Sequence, residues 1–325
     1  MADRRLDAEY VLPLRWSEDS GLDELTDYLR EITALVDVTV VDGSPPPVFA
    51  AHASRWAGLV RHVPPDPSPV ANGKVAGVLT GVRLARHEAL VLADDDVRYG
   101  EEELRRLVGM LRHADLVRPQ NVFRPLPWHA RWDTGRSLLN RALGADYPGT
   151  LAVRRSILER TRGYDGDVLF ENLELIRTVR AAGGREVRAP DLYVRRIPPT
   201  ARHFLGQRVR QAYDDFAQPP RLALELALLP AAIAGLRRPR LLLAGVGAVV
   251  LLAEVGRRRH GGARVYPPTS ALWAPAWAAE RALCIWIALL RRVTGGMPYA
   301  GRRLRRAGTP AAELRRRFAR PPGAA

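Results

Sequence analysis

The first two-thirds of this chain predict an α/β fold built on a mostly parallel sheet, and two observations carry that prediction. Apolar runs of strand length alternate with helix-period segments from residue 10 to about residue 113. This is the pattern of β-α units joined by right-handed crossovers, with helices on both faces of the sheet. One of those runs, Ala89-Leu90-Val91-Leu92-Ala93, is apolar throughout and drives straight into Asp94-Asp95-Asp96. A continuous apolar run reads as a strand buried on both faces, and the strand ends of open α/β sheets are where ligands bind.

The elements follow in order. Residues 10–14 form a first strand, with Pro13 implying an end or an edge. Asp19 to Ala34 form a helix, N-capped by Asp19 or Ser20, with Leu22, Leu25, Leu29 and Ile32 on one face. Val36 to Val41 are a strand ending in Asp42-Gly43-Ser44, and a short helix spans Val48 to Trp56. A third strand covers Gly58 to Val63, and Asn72-Gly73-Lys74 opens a helix through Arg86. The Leu90–Leu92 strand comes next, then a helix from Glu101 to His113 whose acidic start suits its dipole. Residues 114–150 are less regular, with a helix over Asp133 to Leu143. A strand at 149–153, helices around 156–161 and 173–182, a strand at 186–194 and a polar helix from Ala201 to Phe216 complete the segment.

Composition changes abruptly after residue 220. Residues 1–220 carry 31 acidic and 31 basic side chains, whereas residues 221–325 carry 19 arginines against 4 glutamates, the whole net charge of +15. These arginines flank apolar runs, which suits an anionic membrane surface rather than nucleic acid, whose binders carry basic faces with interleaved aromatics. The runs at 222–236 and 241–255 are 15 residues each. As helices they reach about 22 Å against a hydrocarbon core of about 30 Å, so a re-entrant hairpin or in-plane helices fit as well as spans. Ala271–Leu290 is longer but holds Glu280-Arg281 mid-way, a costly pair at a bilayer centre. The tail from Arg291 carries ten arginines and is expected to be poorly ordered or lipid-bound. The expected organisation is a catalytic domain over 1–218, apolar membrane-associated helices over 219–292 and an Arg-rich tail over 293–325. The opening residues lack the apolar core of a signal peptide, so the active domain is expected on the cytoplasmic side of the cell membrane. The single cysteine, Cys284, excludes a disulfide framework and a Cys-based metal site.

The chemistry concentrates at Asp94-Asp95-Asp96. Three adjacent carboxylates repel, so a fold that gathers them at a strand end needs a cation or a donor network there; the plain alternative is a solvated acidic turn. Asp42 stands at a second strand end, where it would contact a nucleotide or close an Asx turn before Gly43. Lys74 is the only lysine, beside 49 arginines. Trp128 and Trp132, one helical turn apart, line an acceptor site or a core; His129 and His203 read as structural.

Four ordered stretches and a fifth near residue 210 resemble the family 2 glycosyltransferases of the GT-A fold, over roughly residues 8–215. Val40-Val41-Asp42-Gly43-Ser44 is similar to the family's Val-Val-Asp-Asp-Gly-Ser, shortened by one Asp. Gly73-Lys74 matches its Gly-Lys-x-x-Ala segment, and Asp94-Asp95-Asp96 its Asp-x-Asp motif. Phe170-Glu171-Asn172-Leu173-Glu174-Leu175 is similar to its Glu-Asp-x-x-Leu, and Gln207-Arg208-Val209-Arg210-Gln211 to its Gln-x-x-Arg-Trp.

The resemblance implies a nucleotide-sugar donor, inversion at the anomeric carbon, and Mg²⁺ or Mn²⁺ on the leaving diphosphate. It implies Asp96 as metal ligand, Asp94 as a metal-shell or ribose contact, and Asp95 as the turn residue. Asp42 would meet the base or ribose, while Lys74, Gln207, Arg208 and Arg210 would hold the diphosphate or a lipid phosphate. Asn172 stands where the family has its basic Asp, which shifts the proton acceptor to Glu171 or Glu174; Glu171 is preferred because it opens the helix. Gln211 replaces the closing Trp. The function expected is transfer of a sugar to a membrane-proximal, possibly lipid-linked, acceptor. The alternatives are a nucleotidyltransferase, for which the Gly-rich basic loop after strand one is lacking at Arg15–Asp19, and a degenerate membrane scaffold.

Overall fold

The computed structural model describes residues 5–18, 21–299 and 301–319. The chain forms two compact units, one from Met1–Asn121, Pro148–Val194 and Thr309–Ala325, the other from Val122–Tyr147 and Arg195–Gly308. This division is discontinuous, where the sequence suggested consecutive blocks meeting at residue 218.

The first unit holds an eight-stranded sheet. In chain order its elements begin β1 (Ala8–Leu14), α1 (Leu22–Thr33), β2 (Asp37–Asp42), α2 (Pro46–Arg55), β3 (Arg61–Val63), α3 (Gly73–Leu84) and β4 (Ala89–Ala93). They continue through β5 (Val97–Arg98), α4 (Glu101–Met110) and β6 (Leu116–Phe123). The order across the sheet is β3-β2-β1-β4, then three strands from later in the chain, then β5. The first four are mutually parallel, as the β-α alternation requires. Leu90 and Val91 of β4 are fully buried, so the strand is covered on both faces as its unbroken apolar run predicts. The expected α/β fold is thus present.

Several local expectations shift. Of the two roles expected for Pro13 it takes the end and not the edge: β1 pairs with β2 from Glu9 to Leu14, but β4 faces it only as far as Val11. The missing proline N–H therefore falls beyond the end of the second ladder. The proposed caps Asp19 and Ser20 lie outside the described residues. The irregular stretch after residue 114 contains strand β6, which the sequence conceals because Arg118, Asn121 and Gln120 are polar. Arg118 is buried there and pairs with Glu186 at 3.3 Å. The next strand, β7 (Thr150–Arg154), runs antiparallel to both β4 and β6, so the sheet is mixed, as an expectation of a mostly parallel sheet allows. Between β6 and β7 the chain forms α5 (Trp128–Leu143) in the second unit, and after β7 come α6 (Arg155–Thr161), α7 (Glu171–Ala181) and β8 (Glu186–Arg196).

In the second unit the expected helix over residues 201–216 breaks into α8 (Ala201–Gly206) and α9 (Arg208–Tyr213), followed by a 3₁₀ turn. The two apolar runs extend into their flanks as α10 (Pro219–Leu236) and α11 (Pro239–Arg258), each with Pro at its first position. At 18 and 20 residues they reach about 27 and 30 Å. By length and composition both could cross a membrane, and most of their surface is exposed.

The third apolar stretch, α12 (Ala274–Val293), differs from both. It buries Ala274, Trp277, Arg281, Ile285 and Ala288 along one face, and Arg281 meets Asp215 at 3.0 Å. Glu280 bonds the Trp132 indole at 3.2 Å. The polar pair mid-way along α12 therefore has protein partners, which removes the cost that made it look anomalous. Where it is described, the tail forms a hairpin of β9 (Met297–Tyr299) and β10 (Arg302–Leu304), then α13 (Ala311–Ala319). Leu314 buries α13 in the first unit, where the Thr309 amide donates to Glu174 at 2.7 Å.

Helices α5 and α11 approach so closely that Gly256 is obligatory. A Cβ there would lie 1.9 Å from the Leu138 carbonyl oxygen, a backbone atom that has no rotamer to yield. Gly256→Ala is expected to destabilise this unit by about 1–3 kcal/mol, seen as a lower melting temperature by circular dichroism. An unchanged melt would mean the two helices do not meet as described.

Candidate active site

Strand β4 hands the chain to a tight turn. The Asp94 amide donates to the Gly149 carbonyl at 2.8 Å, and the Val97 amide closes back on the Asp94 carbonyl at 3.1 Å. Asp94, Asp95 and Asp96 are all partly exposed on this turn. Asp95 accepts from the Trp16 indole N–H, consistent with its assignment as the turn residue.

Lys74 reaches the same place from α3. Its helix is capped by Asn72, whose side chain accepts from the Lys74 amide at 3.1 Å, an arrangement the Asn-Gly-Lys sequence signals. The buried Asn72 also donates to the Val168 carbonyl at 3.3 Å, and its amide donates to the Gly166 carbonyl at 2.9 Å. The Ala71 amide donates to Asp167 at 2.8 Å. These bonds stitch the start of α3 to the loop that leads into α7, whose first residue is Glu171. The result is a compact ion cluster: Lys74 Nζ lies 2.5 Å from Asp94 and 2.8 Å from Glu171. Burial alone would lower the ammonium's pKa, but the two carboxylates outweigh it and raise the pKa well above the ordinary lysine value. Lys74 is therefore a fixed positive charge. Tyr164 stands in the electrostatic reach of the trio, and burial pushes its phenol up, so it stays protonated.

The structure thus brings together Lys74, Asp94 and Glu171, with Asp96 on the same turn as Asp94. Glu174, the other candidate base, is fully buried and occupied by the Thr309 amide; burial raises its pKa. Asn172 donates to the Pro148 carbonyl at 3.0 Å, so its amide holds a loop.

Asp42 is corrected. Its side chain has no exposed surface, and its oxygens accept from the Ser44 amide at 2.9 Å, from His52 at 2.7 Å and from His62 at 3.0 Å. Burial would raise its carboxyl, but the bonds from His62, Ser44 and His52 hold it well below the usual range. It closes the Asx turn and organises histidines; it presents no oxygen to a nucleotide. Sequence reasoning missed both histidines, and it missed Trp16. That residue bonds Ser44 through its amide at 2.9 Å, Asp95 through its indole and the His52 ring by edge contact, tying both strand ends together.

In the second unit Arg208 is also corrected. It is buried, pairs with Asp133 at 3.2 Å and Glu280 at 3.5 Å, and lies over the Phe204 ring at 3.9 Å. A guanidinium so committed is a structural counter-ion, not a phosphate clamp. Gln207 sits at the break between α8 and α9, bonded to His203, and Arg210 lies over the Tyr299 ring at 5.3 Å. Gln207 keeps helical dihedrals, and its carbonyl accepts from the Gln211 amide at 2.9 Å, so the backbone turn that carries Gln207 and Arg210 continues through the junction. Trp128 and Trp132 pack edge-on with each other and with Phe204, His129 bonds the Pro199 carbonyl at 2.7 Å, and Trp128 keeps 44% of its surface exposed.

Asp133 links these helices to pH. Burial would raise its carboxyl, but the Arg136 and Arg208 guanidiniums overcome it and hold it well below the usual carboxylate range. A depressed carboxylate gives stability that is full above its unfolded value, about 4, and is lost as pH falls through the native value. The urea midpoint is therefore expected to hold from pH 7 down to about 4 and to drop below it. A midpoint equally sensitive to acid in Arg208→Met would contradict this assignment.

No protein-family model matches the sequence, and no curated protein matches it. Among solved structures, the chain is similar to the mannosyltransferase PcManGT from Pyrobaculum calidifontis, a complex with GDP-Man and Mn²⁺. The two are 21% identical with a TM-score of 0.54, over 88% of this chain and 87% of that one. The mixed α/β fold of GT-A type is therefore the fold of this chain. More distant is glucosyl-3-phosphoglycerate synthase from Mycobacterium tuberculosis, a complex with Mn²⁺ and UDP. It is 19% identical with a TM-score of 0.43, over 63% of this chain and 76% of that one.

Proposed function

We propose that this chain is an inverting family 2 glycosyltransferase that moves a sugar from a nucleotide-sugar donor to a membrane-proximal, possibly lipid-linked, acceptor. The observation that carries the reading is the meeting of Lys74, Asp94 and Glu171 at the carboxyl end of the buried strand β4. Asp94, Asp95, Asp96 and Glu171 gather carboxylates at this end of the sheet, which suits a divalent cation. Asp94 and Asp96 supply hard oxygen donors of the kind Mg²⁺ and Mn²⁺ prefer, so the residues fit that cofactor. When bound, the cation would neutralise charge on the leaving diphosphate.

The chain's own residues do the rest. Glu171 is the group placed to accept the acceptor hydroxyl's proton, and its helix start holds it in position. Lys74 bridges Glu171 and Asp94, offsetting their mutual repulsion, and offers its ammonium to phosphate. Membrane association, with the catalytic part on the cytoplasmic side, is supported by the exposed apolar helices α10 and α11 and by a stripe on α12. Leu283, Trp286, Ile287 and Leu290 follow helical spacing there and are each at least 41% exposed, beside Arg291 and Arg292.

The test is release of free nucleotide from UDP-, GDP- and dTDP-sugars by purified protein with Mn²⁺, in detergent and with added membrane lipid. Turnover of one donor, abolished in Asp96→Ala, is expected. No turnover of any donor, with donor binding unaltered in Asp96→Ala, would leave the non-catalytic scaffold, the reading that Asn172 favours.

A further inference from the structure

We propose that Asp42, His52 and His62 form a second metal site, specific for a borderline transition cation of the Zn²⁺ type and separate in chemistry from the carboxylate turn. The three residues come from the end of β2, the middle of α2 and strand β3, and their donor atoms all lie within 4.8 Å of one another. His52 Nδ1 and His62 Nε2 converge on a single carboxylate oxygen, Asp42 Oδ2, at 2.7 and 3.0 Å.

Charge balance favours a cation here. Asp42 is 1% exposed, and its partners among the described residues are the two imidazoles and the Ser44 amide, with no lysine or arginine. Hydrogen bonds from these donors keep the carboxylate ionised, the state in which it can ligate a metal, and a bound cation would add the positive charge that the cluster's neutral donors do not supply. The cluster is built as metal ligands usually are. Ring planes are fixed by stacking of His62 on Phe49 at 4.4 Å and of His52 on Trp56 at 4.7 Å. The second carboxylate oxygen is held by the Ser44 amide, the outer bond that orients a ligating carboxylate.

The donor set selects the metal. Two imidazole nitrogens and one carboxylate oxygen suit Zn²⁺, whereas Mg²⁺ and Mn²⁺ prefer an all-oxygen set such as the aspartate turn. Tetrahedral bonds of about 2.0–2.1 Å put donor atoms roughly 3.3 Å apart, a few tenths of an ångström beyond the two nitrogen–oxygen distances and inside the 4.8 Å that bounds the whole set. Three protein ligands leave a fourth position for water or a bound ligand. Bound there, the ion would pin β2, α2 and β3 together beside the strand end.

The test uses full-length protein stripped with chelator, dialysed and titrated with Zn²⁺ alone. About one Zn²⁺ per chain and a rise in melting temperature are expected, both lost in His62→Gln and in Asp42→Asn. Zn²⁺ uptake well below one per chain, or uptake equal in wild type and both variants, would overturn the site and leave a protonated imidazole as the counter-charge. Should the variants fail to fold, Co²⁺ added to the wild type decides. Intense four-coordinate visible bands support the site, and only the pale spectrum of hydrated Co²⁺ refutes it.

Discussion

Glu171→Gln is expected to lower sugar transfer by about 10²–10⁴-fold while donor binding stays within a few-fold of wild type. The amide preserves size and can still accept from Lys74, which lies 2.8 Å from the carboxylate, so the lysine remains seated. What the variant loses is a group able to take the acceptor's proton. Pre-steady-state transfer, with donor affinity measured separately, distinguishes this from a collapse of the ion cluster, which would weaken binding as well. A variant that retains its rate would place the base elsewhere and leave Glu171 as the anchor of Lys74. Glu174→Gln serves as the control: that carboxylate is buried on the Thr309 amide and should affect stability instead of rate.

Arg281→Leu is expected to cost the second unit about 3–5 kcal/mol, the range for removing one partner from a buried ion cluster. Arg281 is 1% exposed, 3.0 Å from Asp215 and 3.8 Å from Glu225. Arg221 contacts both acids at 2.9 Å and would be left to balance them alone. Urea unfolding in mild detergent measures the loss. A cost under about 1 kcal/mol would indicate that water or lipid headgroups already reach the pair, because exposed pairs are worth no more than that. The contrast with Arg237 and Arg238 is instructive. Those side chains are exposed at the α10–α11 connection, and their replacement should leave unfolding unchanged.

Strand β4, the acidic turn and the helix starts carrying Lys74 and Glu171 were readable from residues alone. Each rests on a local signal: an unbroken apolar run, a carboxylate triplet, an Asn cap, an acidic first turn. What stayed hidden depends on residues far apart in sequence. His52 and His62 lie 10 and 20 positions from Asp42, with no periodicity joining them. Arg208 reads as a phosphate ligand until Asp133 and Glu280, more than 70 positions away, turn out to own it. Strand β6 was lost for a related reason: its polar side chains look solvent-facing until the fold supplies Glu186 for Arg118. The tail read as poorly ordered or lipid-bound because arginine is its commonest residue, although it buries Leu304, Ala307 and Leu314 and its Thr309 amide donates to Glu174.

The ion cluster has a practical corollary in protein labelling. Lys74 is the chain's only lysine, so the only ε-amine sits between Asp94 and Glu171 with its side chain 24% exposed. Arginine supplies every other permanent positive charge, and arginine is inert to acylating reagents. An amine-directed probe that modifies a lysine in this protein therefore modifies one address, and the rate of that modification reports whether the acidic turn is engaged.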